Sequence, residues 1–144
     1  IITYTNIRNF NGFHISAPVQ NLILRDYCLN NNLQFSLPIE EYFFENCYIE
    51  LEGILFDLKK KNILVICSSE ILPLDEDYLI YFIKKLTSKK CELHLILDKK
   101  VLKLKKDYDS FFREKLLNKK IIKISSSSSK IIKKYLHGNS YNRG

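Results

Sequence analysis

Residues 2–28 have the sequence ITYTNIRNFNGFHISAPVQNLILRDYC. Its apolar, β-branched beginning predicts a buried strand over residues 1–7, and a polar loop follows. Ser16 is a candidate helix N-cap, and Pro18 suits the first helical turn because its missing N–H costs nothing there. Apolar residues then recur at helical spacing to about Asn31. The stretch therefore predicts a strand, a loop and an amphipathic helix in that order.

The same alternation of strand and helix continues along the chain. The clearest strand is residues 63–67, which is apolar on both faces, as expected of a central parallel strand. We therefore expect a three-layer α/β fold whose four-stranded parallel sheet has the flavodoxin-like order 2-1-3-4. The other predicted elements are strands at residues 33–37 and 92–97 and helices at about residues 46–60, 75–89 and 106–118.

The end of the chain has a different composition. We predict one α/β domain over residues 1–118 and a basic, serine-rich tail over residues 119–144. The five serines at 125–129 are typical of a flexible linker, and residues 121–124 could add an edge strand. The chain begins at Ile1 and contains no methionine, so we expect a few residues to precede it.

The composition is that of a globular domain. A hydrophobic content of 46% over 144 residues allows a sizeable core and argues against global disorder. No apolar run approaches the roughly 20 residues that span a bilayer, and no secretory signal pattern opens the chain. We therefore expect a cytoplasmic protein without a membrane span.

The cysteines and the standard motifs give no sign of a cofactor. Cys28, Cys47, Cys67 and Cys91 are widely spaced and form no CxxC pair. We therefore expect no metal site, and reduced thiols in or beside the core. The chain has no GxGxxG, Walker or HExxH motif, so we expect no cofactor.

The formal charge of +7 is unevenly distributed. Residues 1–58 contain two basic and seven acidic side chains, a net charge of −5, whereas residues 99–144 contain fourteen basic and three acidic, a net charge of +11. Nucleic-acid binding through the lysine-rich tail is therefore one alternative. The excess of lysine over arginine, 19 to 4, fits a compositional habit at least as well as phosphate recognition, which favours arginine.

The predicted strand order places a ligand crevice at one edge of the sheet. In open α/β sheets, ligands bind beyond the carboxyl ends of the strands where the strand order reverses, here between strands one and three. That position collects the loops at residues 8–16 and 68–74, with residues 38–45 adjacent. The candidate ligand-binding residues are Arg8, Ser16, Gln20, Asn21, Glu41, Tyr42 and Ser68, and the catalytic candidates are Arg8, His14, Glu41 and Ser69.

Each candidate also has an ordinary structural explanation. Arg8 beside a helix N-terminus suits a phosphate or carboxylate, and it could equally fix its loop by bonding carbonyl groups. His14 could act as a general acid or base, or be merely exposed. Glu41 could bind sugar hydroxyls, pair with Arg8 or lie solvated in its loop. Ser69 follows a strand but lies in no GxSxG elbow, which weighs against a nucleophile.

Four segments resemble the sporadic carbohydrate cluster family, small proteins encoded among genes for bacterial surface-carbohydrate biosynthesis. They are APVQNLILRDYC (residues 17–28), LPIEEY (37–42), CYIELEGIL (47–55) and VICSSEILP (65–73). The resemblance covers about residues 2–100 and implies a role in assembling a surface glycan such as lipopolysaccharide or O-antigen. The chain departs from the family pattern at His14 and Ser16, where a basic residue and a proline are usual.

The layout also resembles the catalytic domain of the serine recombinases, or resolvases. Aligned by strands, Arg8 stands where that family has its nucleophilic serine. An aspartate and two arginines of that family are replaced here by Ser69, Glu70 and Pro73. Without the nucleophile and its arginines, phosphodiester chemistry has no machinery. This resemblance implies the fold and argues against recombination.

Three hypotheses for the function follow. The first is a small protein of surface-glycan assembly, an accessory protein or an enzyme, that binds an anionic sugar or sugar-nucleotide beside Arg8. The second is a catalytically inactive recombinase-like module that binds nucleic acid through its tail. The third is a non-enzymatic interaction domain that forms a homodimer or binds another protein through Tyr42, Phe43 and Phe44.

Overall fold

The computed structural model of the chain describes residues 1–10 and 12–120. The chain divides into two units, Ile1–Asp109 and Ser110–Gly144, and the α/β sheet belongs to the first. In the second unit, residues 110–120 are helical. The predicted edge strand and serine linker of the tail lie outside the described residues, and the predicted boundary after residue 118 stays a prediction.

The first unit contains a sheet of mixed direction, mostly parallel, in a mixed α/β fold. Its described strands have the order β2-β1-β3-β4-β5, and the first four are parallel, in the predicted order 2-1-3-4. The prediction of a four-stranded sheet is wrong, because β5 pairs antiparallel with β4 and adds a fifth strand at the edge. The strands are β1 (Ile2–Thr5), β2 (Ile39–Glu40), β3 (Ile63–Ile66), β4 (Glu92–Leu95) and β5 (Lys100–Leu102).

The second strand lies later in the chain than predicted. Residues 33–37 form no strand, and pairing with β1 begins only after Pro38, with Tyr4 opposite Ile39. The apolar residues Leu33 and Phe35 instead pack, partly buried, against the core beneath the first helix. The alternating apolar residues that predicted a strand are therefore buried beside the sheet and are not paired within it.

Four described helices cover the sheet or follow it: α1 (Ala17–Asn30), α2 (Ile49–Asp57), α3 (Glu76–Ser88) and α4, the helical residues 105–120. Asp75 caps α3, accepting a hydrogen bond from the backbone N–H of Tyr78 at 3.0 Å. Ser16 occupies the N-cap position of α1 but its side chain makes no capping bond. Helix α2 starts three residues later than predicted because Asn46 has a φ of +54°, which a helix does not allow.

Helices lie on both faces of the sheet. On one face, Leu24 of α1 packs against Val65 and Cys67. Tyr4 alternates with Thr3, the register partner of Val65, so the Tyr4 side chain points to the opposite face. There its hydroxyl is joined through Glu41 to the N-terminus of α2, which also contacts α3. The sheet thereby brings the loops that follow β1 and β2 together at its carboxyl edge.

Candidate functional site

A pocket with a volume of about 390 Å³ lies where the loops after β1 and β2 meet. It is one loop away from the predicted crevice between β1 and β3. Of the residues predicted to bind or react with a ligand, the pocket contains Arg8. The lining residues are Arg8, Asn9, Phe10, Phe43, Glu45, Asn46 and Tyr48.

Arg8 is buried, with 7% of its surface exposed, and most of its guanidinium group is held in place. Its Nε donates to the side-chain oxygen of Asn6 at 3.2 Å, and its Nη1 donates to the carbonyl oxygen of Phe44. The guanidinium carbon lies 4.5 Å from the ring centroid of Tyr48 and 5.4 Å from that of Phe10. Nη2 is buried and has no hydrogen-bond partner among the described residues. Arg8 therefore fixes its loop, as one explanation predicted, and still has unused donors.

The charge of Arg8 is poorly compensated by the protein. A guanidinium group stays protonated at any ordinary pH, and burying a charge without a partner is costly. No carboxylate pairs with Arg8 among residues 1–10 and 12–120, whereas Glu92 pairs there with His94 and Lys103. Two carbonyl oxygens and two aromatic faces provide partial compensation. An anion in this pocket would compensate the charge directly.

Tyr48 is the neutral partner of Arg8 in this arrangement. Burial raises the pKa of the Tyr48 hydroxyl, and the nearby Arg8 cation lowers it by less than burial raises it. The net direction is upward, so the phenol stays protonated at pH 7. Tyr48 can thus stack on the guanidinium and donate a hydrogen bond, but it cannot supply the missing negative charge.

Asn6 connects Arg8 to helix α1. Its side-chain oxygen accepts from the backbone N–H of Arg8 as well as from Nε, and its amide nitrogen donates to the hydroxyl of Tyr4 at 3.3 Å. Gln20, a predicted ligand-binding residue, is buried and donates to the carbonyl oxygens of Asn6 and Ile15, both at 2.8 Å. Gln20 therefore holds the loop that carries Arg8 and lies outside the pocket lining.

Glu41 has its carboxylate oxygens engaged inside the fold. It is 4% exposed and accepts from the hydroxyl of Tyr4 at 3.0 Å. It also accepts from the backbone N–H groups of Tyr42, Glu50 and Leu51 at 3.1, 3.2 and 3.1 Å. Burial, followed by the Glu41 charge, raises the pKa of Tyr4. Glu41 thus caps α2 and does not pair with Arg8.

The other predicted site residues lie apart from the pocket lining. His14, Ser16, Asn21 and Tyr42 are exposed. Ser68 and Ser69 are buried in the turn after β3, where the Ser68 hydroxyl accepts from the Glu70 N–H at 3.1 Å. Ser69 donates to Asp98 through its N–H at 2.8 Å and its hydroxyl at 2.9 Å. The hydroxyls of Ser68 and Ser69 are therefore engaged in hydrogen bonds within the fold.

A second polar cluster lies on the face of the sheet covered by α1. His94 Nε2 lies 2.8 Å from a carboxylate oxygen of Glu92, and its Nδ1 lies 2.8 Å from the hydroxyl of Tyr27. Because a carboxylate only accepts, Nε2 carries a proton, so in a neutral ring Nδ1 accepts from Tyr27. Sequence reasoning missed this cluster because Tyr27 lies 67 residues before His94, and no spacing in the sequence links the two.

Metal and membrane sites find no support in the described part of the chain. No group of three or more His, Cys, Asp or Glu side chains there could hold a metal ion. No helix within it has the length and apolar character needed to cross a membrane. All four cysteines are free, and Cys28, Cys67 and Cys91 are buried, as expected of cysteines in the core.

The mostly parallel α/β fold with a pocket at its carboxyl edge defines a class of architecture and no particular activity. No protein-family model matches this chain, and no curated protein is significantly similar to it.

Proposed function

We propose that this chain binds a small anionic ligand, an anionic sugar or a sugar-nucleotide, in the pocket beside Arg8. The observation that supports the proposal is the buried Arg8 guanidinium with no carboxylate partner among the described residues, at the wall of a pocket of about 390 Å³. A volume of this size suits a small ligand. An anion would stabilise the folded state by compensating the buried charge.

The remaining lining of the pocket suits a sugar. Phe43 presents an exposed aromatic ring, and Asn9, Glu45 and Asn46 supply amide and carboxylate groups. Such groups donate to and accept from hydroxyls, while an aromatic ring covers an apolar sugar face. The proposed biological setting, bacterial surface-carbohydrate biosynthesis, rests on the family resemblance of residues 2–100. We also propose that the fold is related to the flavodoxin-like and resolvase-like folds.

A thermal-shift screen tests the proposal. Nucleotide-sugars and acidic sugars should raise the melting temperature of the wild-type chain, and the rise should grow with ligand concentration. Arg8→Ala should remove the shift. Arg25→Ala is the matched control, because this substitution removes the same charge from an exposed position on α1, away from the pocket. Equal shifts in the wild type and in Arg8→Ala would contradict the proposal.

A protein-interaction function is the second candidate, favoured by the aromatic loop after β2. Tyr42, Phe43 and Phe44 are 51%, 69% and 68% exposed, and the rings of Tyr42 and Phe44 stack at 6.5 Å. Contiguous exposed aromatic surface is typical of a contact site. A concentration-dependent dimer in sedimentation experiments that is lost in the double variant Phe43→Ala, Phe44→Ala would favour this candidate. A monomer at all concentrations would count against self-association.

A further inference from the structure

Resting on the proposed function above, we propose that the ligand of the Arg8 pocket is an acidic sugar with a single carboxylate, such as a hexuronic acid, and not a sugar phosphate. Four features of the site support this narrower assignment: the donors left on Arg8, the occupied helix N-terminus, the charge of the lining and the neutral polar groups.

Arg8 has unused donors on its two terminal nitrogens. Nε is committed to Asn6 and one N–H of Nη1 to the carbonyl of Phe44, which leaves the second N–H of Nη1 and both N–H groups of Nη2. Two adjacent guanidinium nitrogens can pair with the two oxygens of one carboxylate. A phosphate monoester, with two charges and three terminal oxygens, needs further donors.

The N-terminus of α2, which adjoins the pocket through Tyr48, cannot supply those further donors. Free backbone N–H groups at the start of a helix are a common phosphate site. At the start of α2, however, the N–H groups of Glu50 and Leu51 already donate to the carboxylate of Glu41 at 3.2 and 3.1 Å. Glu41 is itself buried, so it is not displaced at low cost. The position a phosphate would take is occupied by the chain's own carboxylate.

The charged residues of the lining also favour a ligand with a single negative charge. Among the described lining residues Arg8 is the only cation, and Glu45 adds one negative charge. A sugar with one carboxylate compensates the positive charge of Arg8. A dianionic phosphate adds a second negative charge beside Glu45, which disfavours its binding.

Neutral contacts complete the fit to a sugar acid. Asn9, Asn46 and Glu45 can bond its hydroxyls, and the exposed ring of Phe43 can cover one face of it. Because Nη2 is buried, the carboxylate bonds it only when the groups that cover it move aside. Side-chain changes of this kind are common on binding.

The test compares glucose with two of its anionic derivatives, glucuronate and glucose 6-phosphate. Binding is measured by calorimetric titration of the full chain at pH 7.5 and constant ionic strength. Galacturonate is included as a second monoanion. At least one uronate should bind about tenfold or more tightly than both glucose and glucose 6-phosphate, the size of a charge-assisted hydrogen bond. Arg8→Gln should remove the advantage of that uronate over glucose.

Glu45 provides the second variant. Glu45→Gln should strengthen the binding of glucose 6-phosphate about two- to fivefold, the size expected for an exposed charge interaction. Glu40→Gln is the matched control, because Glu40 is an exposed neighbouring glutamate outside the lining, and it should change no affinity. Since Glu45 is exposed, this variant should fold normally even if Arg8→Gln does not.

Two results would overturn the inference. In the first, glucose 6-phosphate or a nucleotide-sugar binds more tightly than either uronate, and this binding depends on Arg8. That result would contradict the assignment of an acidic sugar and would leave the proposed function standing. Binding of no uronate, sugar phosphate or nucleotide-sugar at millimolar concentration removes both.

Discussion

The guanidinium of Arg8 packs against the ring of Tyr48, with 4.5 Å between the guanidinium carbon and the ring centroid. Arg8 follows β1, and Tyr48 is the residue before the first turn of α2, so this contact joins the two loops that form the pocket. The bond from Arg8 to the Phe44 carbonyl joins the same two loops a second time. Arg8 thus shapes the pocket and supplies its positive charge.

Replacing Glu41 should destabilise the fold. Glu41→Gln removes the charge that accepts from Tyr4 and from the N-terminus of α2, and we expect a loss of about 2–4 kcal/mol in the free energy of unfolding. Urea denaturation monitored by circular dichroism measures it. Glu40→Gln, at the exposed neighbouring position, should stay within about 0.5 kcal/mol of wild type. Equal midpoints for the two variants would contradict the structural role of Glu41.

Ser69 should behave as a structural residue. Its hydroxyl is buried and donates to Asp98, so Ser69→Ala should cost about 1–2 kcal/mol in the free energy of unfolding. Ser16→Ala serves as the control and should cost less than about 0.5 kcal/mol, because the Ser16 side chain makes no capping bond. Covalent labelling of Ser69 by a serine-directed fluorophosphonate, with stability unchanged in Ser69→Ala, would instead indicate a nucleophile.

The bond between Glu92 and His94 should make stability depend on pH. This bond is the main reason why the pKa of Glu92 lies below the ordinary glutamate value of about 4.3. A lowered carboxyl pKa adds stability above that ordinary value, and the contribution is lost as the pH falls through the lowered pKa. Glu92→Gln should therefore cost about 1 kcal/mol at pH 6 and progressively less below about pH 4.

Lys103→Ala is the comparison for Glu92→Gln. Lys103 lies 3.4 Å from Glu92 but its side chain is 61% exposed, so its removal should have a smaller effect than removal of Glu92. Unfolding curves of both variants and the wild type between pH 3 and pH 7 measure the difference. A destabilisation by Glu92→Gln that grows on acidification below pH 4 would contradict the assignment.

The four thiols should differ in reactivity. Burial raises the pKa of Cys67 to about 12, and burial also raises the pKa of Cys28 and Cys91. Cys47 is half-buried, so in the native protein at pH 8 a thiol reagent such as DTNB should modify Cys47 first and the other three only on unfolding. The absorbance of the thiolate that DTNB releases measures how many cysteines have reacted. Rapid release from all four cysteines of the native protein would contradict the buried positions.

The parts of the fold that sequence reasoning predicted are those with strong apolar periodicity. The strand at residues 63–67 and the helices α1 and α3 have long, regular patterns, and the parallel order of the first four strands follows from their alternation. β5 was missed because its three residues carry a single buried side chain, Leu102, between lysines that mark an edge strand. β2 was misplaced because burial of Leu33 and Phe35 imitates a strand pattern.

The candidate pocket is lined by one of the residues that the sequence singled out, Arg8. Tyr48 falls within the helix predicted at about residues 46–60, and nothing in its spacing signals a contact with a guanidinium forty residues earlier. Gln20, Glu41 and Ser69 carry groups suited to a ligand, yet the fold uses each of them for internal hydrogen bonds. Residue type alone does not distinguish these two uses, because both need a polar group at the end of a strand or the start of a helix.

The most direct test of anion binding at Arg8 is an NMR titration of the arginine side chains. The chain has four arginines, so their Nε–Hε signals can be assigned by substitution. On addition of UDP-glucuronate, which carries both a diphosphate and a sugar carboxylate, the Arg8 signal should shift and saturate while those of Arg25, Arg113 and Arg143 stay in place. An unmoved Arg8 signal at millimolar ligand, or equal shifts of all four signals, would contradict the account.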